Sequence, residues 1–387
     1  MTDLETRAAP AESALRRAAP ALLGYAAVRA LGLLTLALWS AARDKSAYTL
    51  LTARWDALWY TRVAELGYGY EVRLPGGDVH SNLAFFPLLP WLERGLAALS
   101  PLSYADAGFA VSLLASLAAA WGVFAVADHV YGRRAGGCAV LVWAVLPVGI
   151  VQSMAYSESL FTALAAWSLY AVLTGRWVLA GALASLAGLT RPVGLAVVAA
   201  VWAAGIASFV RERSTARADG ARPLPRALGM LLAPLGAAAY VLWVGHRTGK
   251  GPLGYLDVQA GWRNGFDGGY AFARFVGEKF TSFPSALAGA GLIIGVGLIV
   301  WLYVVGVRQR QPLPLLVYTG VVTALALCAS SYFGSKPRLL MPAFPLLFPL
   351  ALALARSRTS RSVLVVGGVA VASAVYGAFW LNGSGPP

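Results

Sequence analysis

The chain of 387 residues is 58% hydrophobic and only 12% charged, with a mean hydropathy of +0.66, values far outside those of soluble domains. They define a polytopic integral membrane protein, in which ~20 residues per span plus loops leave room for about eleven helices in one all-α bundle. The formal net charge of +14 would point to nucleic acid in a soluble chain. Here membrane sidedness accounts for it, so no nucleic-acid partner is expected.

A polar tail over residues 1–19 precedes an apolar run at 21–39 that only Arg29 interrupts. The run is too long for a signal-peptide core and predicts a retained first helix. Arg29 lies near its middle, where a charge is costly unless it snorkels or faces the bundle interior. Further apolar runs at 106–127, 137–152, 157–173, 177–189, 193–210, 227–245, 285–306, 313–333, 339–355 and 362–381 complete the set. The stretch 177–210 is broken at Thr190-Arg191-Pro192 and reads as two short spans or a re-entrant pair; either returns the chain to the same side. Residues 20–381 then form a single membrane domain, and 382–387 a short outer tail. Cys138 and Cys328 fall in apolar runs without a CxxC pattern, which supports neither a disulfide framework nor a metal site.

Setting the N-terminus in the cytoplasm places Arg7, Arg16, Arg17, Arg133, Arg134, Arg176, Arg211, Arg213, Arg217, Arg222, Arg226, Arg308, Arg310, Arg356, Arg358 and Arg361 inside. The outside is left less basic, as the positive-inside rule requires. Two long loops, 41–105 and 246–284, then lie outside, and loops of such length in a compact bundle are more often functional than connective.

In the first loop, Trp55, Leu58, Trp59, Val63 and Leu66 recur at helical spacing over 53–66, which predicts an interfacial helix with Trp and Tyr at headgroup level. Asp56 borders that stripe, with Tyr60 one turn on. A carboxylate there can accept a proton from an attacking hydroxyl; read alone, it is equally a solvated acid or the partner of Arg54 or Arg62. A second interfacial helix is expected over 85–99, opening on Phe85-Phe86-Pro87. The turn-rich connection between the two ends at His80-Ser81-Asn82. On the same predicted face stand Glu158, at a helix end, and Arg191, Lys336 and Arg338, in short connections where topology does not need them. Helix-dipole, headgroup or snorkelling roles are the alternatives. Gln259 and Trp262 give the second loop the amide and aromatic content of a carbohydrate surface, or of a loop resting on headgroups.

Arg54-Trp55-Asp56 with Tyr60, then Gly67-Tyr68, His80-Ser81-Asn82, Phe85-Phe86-Pro87-Leu88-Leu89-Pro90, Tyr156-Ser157-Glu158-Ser159-Leu160-Phe161, Leu189-Thr190-Arg191-Pro192-Val193-Gly194 and Lys336-Pro337-Arg338 with Pro342 and Pro345 together resemble the PIG-V-like mannosyltransferases. These belong to the GT-C class of polytopic glycosyltransferases. The resemblance implies a GT-C-like bundle and an inverting transfer of mannose from a polyprenyl-phosphate donor to a hydroxyl of a lipid or glycan acceptor at the outer face. It implies Asp56 as the base. Beside it, Glu158 is the second catalytic candidate, and Arg191, Lys336 and Arg338 are candidates for the donor phosphate, whose charge grows as the glycosidic bond breaks. Tyr60, His80, Asn82, Gln259 and Trp262 are candidate substrate contacts.

No cofactor is required, although Asp56 and Glu158 can hold a divalent cation directly or through water; no histidine belongs to a cluster with metal-ligand spacing. A P-loop and a dinucleotide fingerprint are both missing, which disfavours a cytosolic nucleotide-sugar donor. The competing classes are a transporter or flippase of lipid-linked glycans, for which Arg29 and the broken 177–210 stretch speak, and a polyprenyl-diphosphate-dependent polymerase or ligase. Lysine is confined to Lys45, Lys250, Lys279 and Lys336 against many arginines, a composition that suits a GC-rich bacterial genome and hence the plasma membrane. For a eukaryotic chain the expectation is the endoplasmic reticulum.

Overall fold

The computed structural model describes residues 13–214 and 223–385. The start of the N-terminal tail with Arg7, the residues Arg217 and Arg222 used in the topology, and the last two residues of the C-terminal tail lie outside the described residues.

The helices are, in chain order, α1 (Ala14–Ala41), α2 (Ala47–Thr52), α3 (Asp56–Leu66), α4 (Leu88–Leu99), α5 (Tyr104–Tyr131), α6 (Arg133–Ala144), α7 (Ser157–Leu173), α8 (Trp177–Gly188), α9 (Leu195–Ser214), α10 (Pro223–Leu232), α11 (Leu235–Thr248), α12 (Gly254–Gly261), α13 (Tyr270–Glu278), α14 (Ser285–Arg308), α15 (Leu313–Cys328), α16 (Lys336–Leu340), α17 (Phe348–Arg356) and α18 (Thr359–Leu381). Two short antiparallel ribbons accompany them, β1 (Glu71–Arg73) with β2 (Val79–Ser81), and β3 (Gly265–Phe266) with β4 (Ala329–Ser330). The protein is an all-α polytopic membrane protein.

Among the described residues, six helical stretches are long and apolar enough to cross a membrane: α1, α5, Pro192–Ser214, Pro223–Thr248, α14 and α18. A seventh candidate, Phe333–Leu340 with Phe344–Arg356, is bent by 78°. The apolar helices α7, α8 and α15 are shorter, at 17, 12 and 16 residues. Among the described residues, six or seven spans meet that length, and the count of about eleven is not confirmed. Hydropathy reports apolar sequence, whereas helix continuity also depends on proline and glycine. The run 137–152 shows the difference: α6 stops at Ala144, ahead of Pro147 and Gly149, and a 3₁₀ turn follows at Gly149–Ser153.

Each break leaves carbonyls that lipid cannot satisfy. At the first, the Arg29 guanidinium reaches across from α1 and donates to the Ala144 and Gly149 carbonyls, a cation at the negative end of α6. Arg29 also lies 5.6 Å from the Tyr25 ring centroid. Its place in mid-span is thus accounted for by helix capping, without a transport path. At the bent pair, Tyr318 Oη donates to the Pro342 carbonyl at 2.9 Å and Trp143 Nε1 to that of Met341 at 3.1 Å.

Close backbone packing holds α8 against its neighbours. A Cβ on Gly181 of α8 would overlap the Gly229 carbonyl of α10, and one on Gly236 of α11 would overlap the Ser185 carbonyl of α8. Such small-residue seams let helices associate in lipid through van der Waals contact.

The two ends of the bundle differ in chemistry. At one end Arg17 pairs with Asp128 at 2.7 Å, Arg226 with Glu212 at 2.5 Å, and Arg134 donates to the Ser357 carbonyl at 2.6 Å. At the other end lie both long loops, folded onto each other: Arg263 pairs with Asp78 at 2.6 Å, and Trp262 Nε1 donates to the Ser81 carbonyl at 3.0 Å.

One buried acid takes part in no ion pair. Glu93 of α4 is fully buried against Gly108 of α5, with neither carboxylate oxygen hydrogen-bonded. Burial drives its carboxyl well above the usual range, so the folded state favours the neutral acid. A raised folded-state pKa contributes stability that is complete in acid and is lost as pH climbs through the raised value. Glu93→Gln keeps the shape and removes the titration. It is expected to raise the thermal midpoint at about pH 9 and leave it unchanged near pH 4; equal shifts at both pH values would contradict this.

Candidate active site

Asp56 is the first residue of α3, where a carboxylate complements the positive helix end. The residue before it, Trp55, has φ 52° and ψ −125°, a left-handed backbone that a bulky side chain rarely adopts. This turn re-aims the chain between α2 and α3. The Arg54 guanidinium lies 4.0 Å from the Trp55 ring centroid, which anchors the strained tryptophan from outside.

Facing Asp56 is the segment that leads into α7. It is pinned by Ala155 N donating to the Leu51 carbonyl at 3.0 Å and by Ser112 Oγ donating to that of Tyr156 at 3.1 Å. Glu158 follows in the first turn of α7. Arg191 comes from the break after α8, extended at φ −161° and ψ 154°, as the residue before a proline is constrained to be. Arg338 comes from the five-residue α16, just before the bend.

These four charges meet. Arg338 lies 2.8 Å from the Asp56 carboxylate and 3.2 Å from that of Glu158, and Arg191 lies 2.5 Å from Glu158. Exposure grades across the group: the Glu158 side chain is 1% exposed, Arg338 8%, Arg191 13% and Asp56 25%. Asp56 is therefore the more accessible carboxylate of the two, and Glu158 is a buried tie between two guanidiniums. Arg338 Nε and Nη1 are buried and make no aligned hydrogen bond, so the Arg338 contacts to Asp56 and Glu158 are ion pairs. Two acids and two bases make the group neutral overall.

Tyr60 joins through a residue that sequence reasoning did not single out. Its hydroxyl is 2.7 Å from Ser157 Oγ, which also accepts from Arg191 at 3.1 Å. Ser157 stood in the same motif as Glu158, and its adjacency to a carboxylate at a helix start was the available signal. Burial pushes the Tyr60 phenol well up from its ordinary value, with Arg191 opposing and Asp56 adding to the rise. It stays a neutral donor. Tyr156, likewise not singled out, puts its ring 5.0 Å from the Arg338 guanidinium carbon.

Other candidates lie elsewhere. Lys336 precedes Arg338 by two residues, about 200° around a helix, and so faces away. Its ammonium donates to the Ala326, Leu327 and Ala329 carbonyls at 2.8, 3.3 and 2.9 Å, capping the end of α15. Asn82 is fully buried and brackets a turn, accepting from Gly69 N and donating to the Gly67 carbonyl, each at 3.0 Å. Gln259 contacts Tyr255, Asn264 and the Ala84 carbonyl. Both amides are satisfied within their loops. His80 and Trp262 stack at 4.0 Å and 10°, and Trp262 meets Trp59 at 4.9 Å. They form an aromatic wall next to Tyr60, joined to it through Phe85 at 5.4 and 5.2 Å.

For a divalent cation the donor set does not fit this arrangement. Arg338 already bridges Asp56 and Glu158, and no group of three His, Cys, Asp or Glu with metal-binding geometry exists among the described residues.

No family model and no curated protein sequence matches the chain. Solved structures do. ArnT from Cupriavidus metallidurans, in a crystal structure bound to undecaprenyl phosphate, matches with a TM-score of 0.52 at 16% identity, over 91% of this chain and 63% of ArnT. The Archaeoglobus fulgidus oligosaccharyltransferase, crystallised with Zn and sulfate, gives a TM-score of 0.47 at 15% identity over 93% of this chain and 53% of that one. The chain thus spans less than two thirds of the length of these proteins. What the ArnT likeness shows is architecture: this polytopic all-α membrane protein has a GT-C fold.

Proposed function

We propose that the chain is an inverting glycosyltransferase that moves mannose from a polyprenyl-phosphate donor to a hydroxyl of a lipid-linked or glycan acceptor at the outer membrane face. The observation that carries this reading is the 2.8 Å contact between Asp56, the accessible carboxylate, and Arg338: a proton acceptor and a phosphate-binding cation sit side by side. The fold shared with ArnT, a protein crystallised with undecaprenyl phosphate, supports a polyprenyl phosphate as the carrier. The motif resemblance supports mannose as the sugar.

In this reading the acceptor oxygen attacks the anomeric carbon while its proton passes to Asp56. The bond from that carbon to the phosphate oxygen breaks, and the electron pair leaves with the polyprenyl phosphate. Charge on the departing phosphate rises during the step, so Arg338 and Arg191 stabilise the transition state more than the ground state. Glu158 acts through them, holding both guanidiniums in place. Tyr60 and Ser157 orient Arg191, and the His80–Trp262 wall offers flat faces to a sugar ring.

The test is transfer of labelled mannose from synthetic polyprenyl-phosphate mannose in membranes that contain the chain. Acceptor-dependent transfer is the expected result. Transfer from a polyprenyl-diphosphate glycan instead would replace the donor assignment, and no transfer from any lipid-linked sugar would end the reading.

A further inference from the structure

The backbone that carries Tyr156 is fixed on both sides, by Tyr156 N donating to the Met154 carbonyl at 2.7 Å and by Ser112 Oγ donating to the Tyr156 carbonyl. The residue is fully buried. Its ring supports the Arg338 guanidinium at 5.0 Å, a cation–π contact that desolvation strengthens. Its hydroxyl makes no aligned hydrogen bond. A buried hydroxyl without a partner costs stability, so its presence beside four charges needs a cause. We infer that Tyr156 is a positioning residue for Asp56, whose hydroxyl oxygen is the acceptor held in reserve for the proton that Asp56 takes up. The inference rests on the transferase reading above.

Three observations carry it. First, Asp56 meets Arg338 through Oδ2, which leaves Oδ1 for the proton. Second, of the charged groups around the Tyr156 phenol, Asp56 acts on it most strongly, ahead of Arg338 and Glu158; the Asp56 backbone N–H lies on the same side without the alignment of a hydrogen bond. Third, burial, with Asp56 adding and Arg338 opposing, holds the phenol well above its ordinary value, so it stays neutral and does not itself titrate. While Asp56 is ionised, Arg338 holds it. When the acceptor's O–H bond breaks and an O–H bond forms on Asp56, the neutral carboxyl loses most of its attraction to Arg338 and donates to Tyr156 Oη instead. Tyr156 keeps its own proton throughout, and Asp56, 25% exposed, later returns the transferred proton to water. Because this hydrogen bond exists only once the proton moves, it favours the transition state over the ground state.

The experiment is a double-mutant cycle on the full chain in detergent. In it Asp56→Asn stands for the protonated base, because its amide offers the N–H donor that the neutral carboxyl offers as O–H. In the wild-type background Tyr156→Phe removes an unpaired buried hydroxyl and is expected to raise the thermal midpoint by about 1–2 °C. In the Asp56→Asn background the same change removes a hydrogen bond and is expected to lower the midpoint by a similar amount. A purely structural tyrosine shifts both backgrounds alike, so equal shifts overturn the inference. In the transfer assay Tyr156→Phe should lower kcat roughly tenfold, the worth of about one hydrogen bond, and leave KM for the donor unchanged, since the ring under Arg338 is kept. A wild-type kcat in Tyr156→Phe also overturns the inference. The midpoints need no substrate: shifts of opposite sign with no transfer by the wild type would remove the transferase reading and leave the Tyr156–Asp56 contact, whereas wild-type transfer with equal shifts would do the reverse.

Discussion

Asp56→Asn is expected to lower the turnover of mannosyl transfer by roughly a hundredfold to ten-thousandfold, the range that a positioned general base contributes, without raising KM for the donor. The amide keeps the size of the carboxylate and can still lie against Arg338, 2.8 Å away in the wild type, so the local structure persists. What changes is charge. The neutral group of two acids and two guanidiniums becomes cationic by one unit, which favours the anionic donor. A structural partner of Arg338 would behave differently, because its loss would disorder the arginine and weaken donor binding along with turnover. Separate kcat and KM values for the donor, measured on protein with an unchanged thermal midpoint, therefore distinguish a base from a tether. Near-wild-type turnover would remove the base assignment.

Arg338→Ala is expected to destabilise the fold by about 3–5 kcal/mol, the usual consequence of removing one partner from a buried ion pair, and to abolish transfer. Glu158 is the reason. At 1% side-chain exposure it cannot recruit water, and with Arg338 gone only Arg191 compensates it. If that account holds, adding Glu158→Gln should recover much of the lost stability and none of the activity, because it removes the stranded charge without restoring the cation proposed to bind the phosphate. Thermal unfolding of the two single variants and the double variant in detergent measures the coupling. Additive losses would show that Glu158 and Arg338 act independently.

The sequence made parts of this arrangement legible and hid others for definable reasons. The membrane class and the all-α bundle follow from composition, because lipid permits few other ways of satisfying the backbone. Asp56, Glu158, Arg191 and Arg338 could be assigned to one predicted face, since each stands in a connection at the same side of the bundle, and the structure brings them within ion-pair distance. Lys336 was indistinguishable from Arg338 by that reasoning. Separating them needs the local helix that turns one toward the charged group and the other toward the end of α15. Asn82 and Gln259 illustrate a further limit: a polar side chain in a functional loop can be fully used in shaping the loop, and sequence does not show which backbone groups it serves. Arg29 was open to a structural and a transport reading because the helix end that it caps, at Ala144, lies inside an unbroken apolar run.

The glycine seam has a consequence for depth in the bilayer. Only 12 residues make up α8, which at 1.5 Å per residue is ~18 Å, well short of the ~30 Å hydrocarbon core. Backbone contacts at Gly181 and Gly236 leave α8 no side chain whose rearrangement would let it slide along α10 and α11. Arg191, just past its end, is thus carried at a height that the protein sets. The height of a lipid phosphate is set by the bilayer. Thinning or thickening the membrane shifts one against the other, at a cost that grows with each ångström of mismatch, so under the proposed function acyl-chain length in the surrounding lipid is expected to control how readily a donor phosphate meets the arginines.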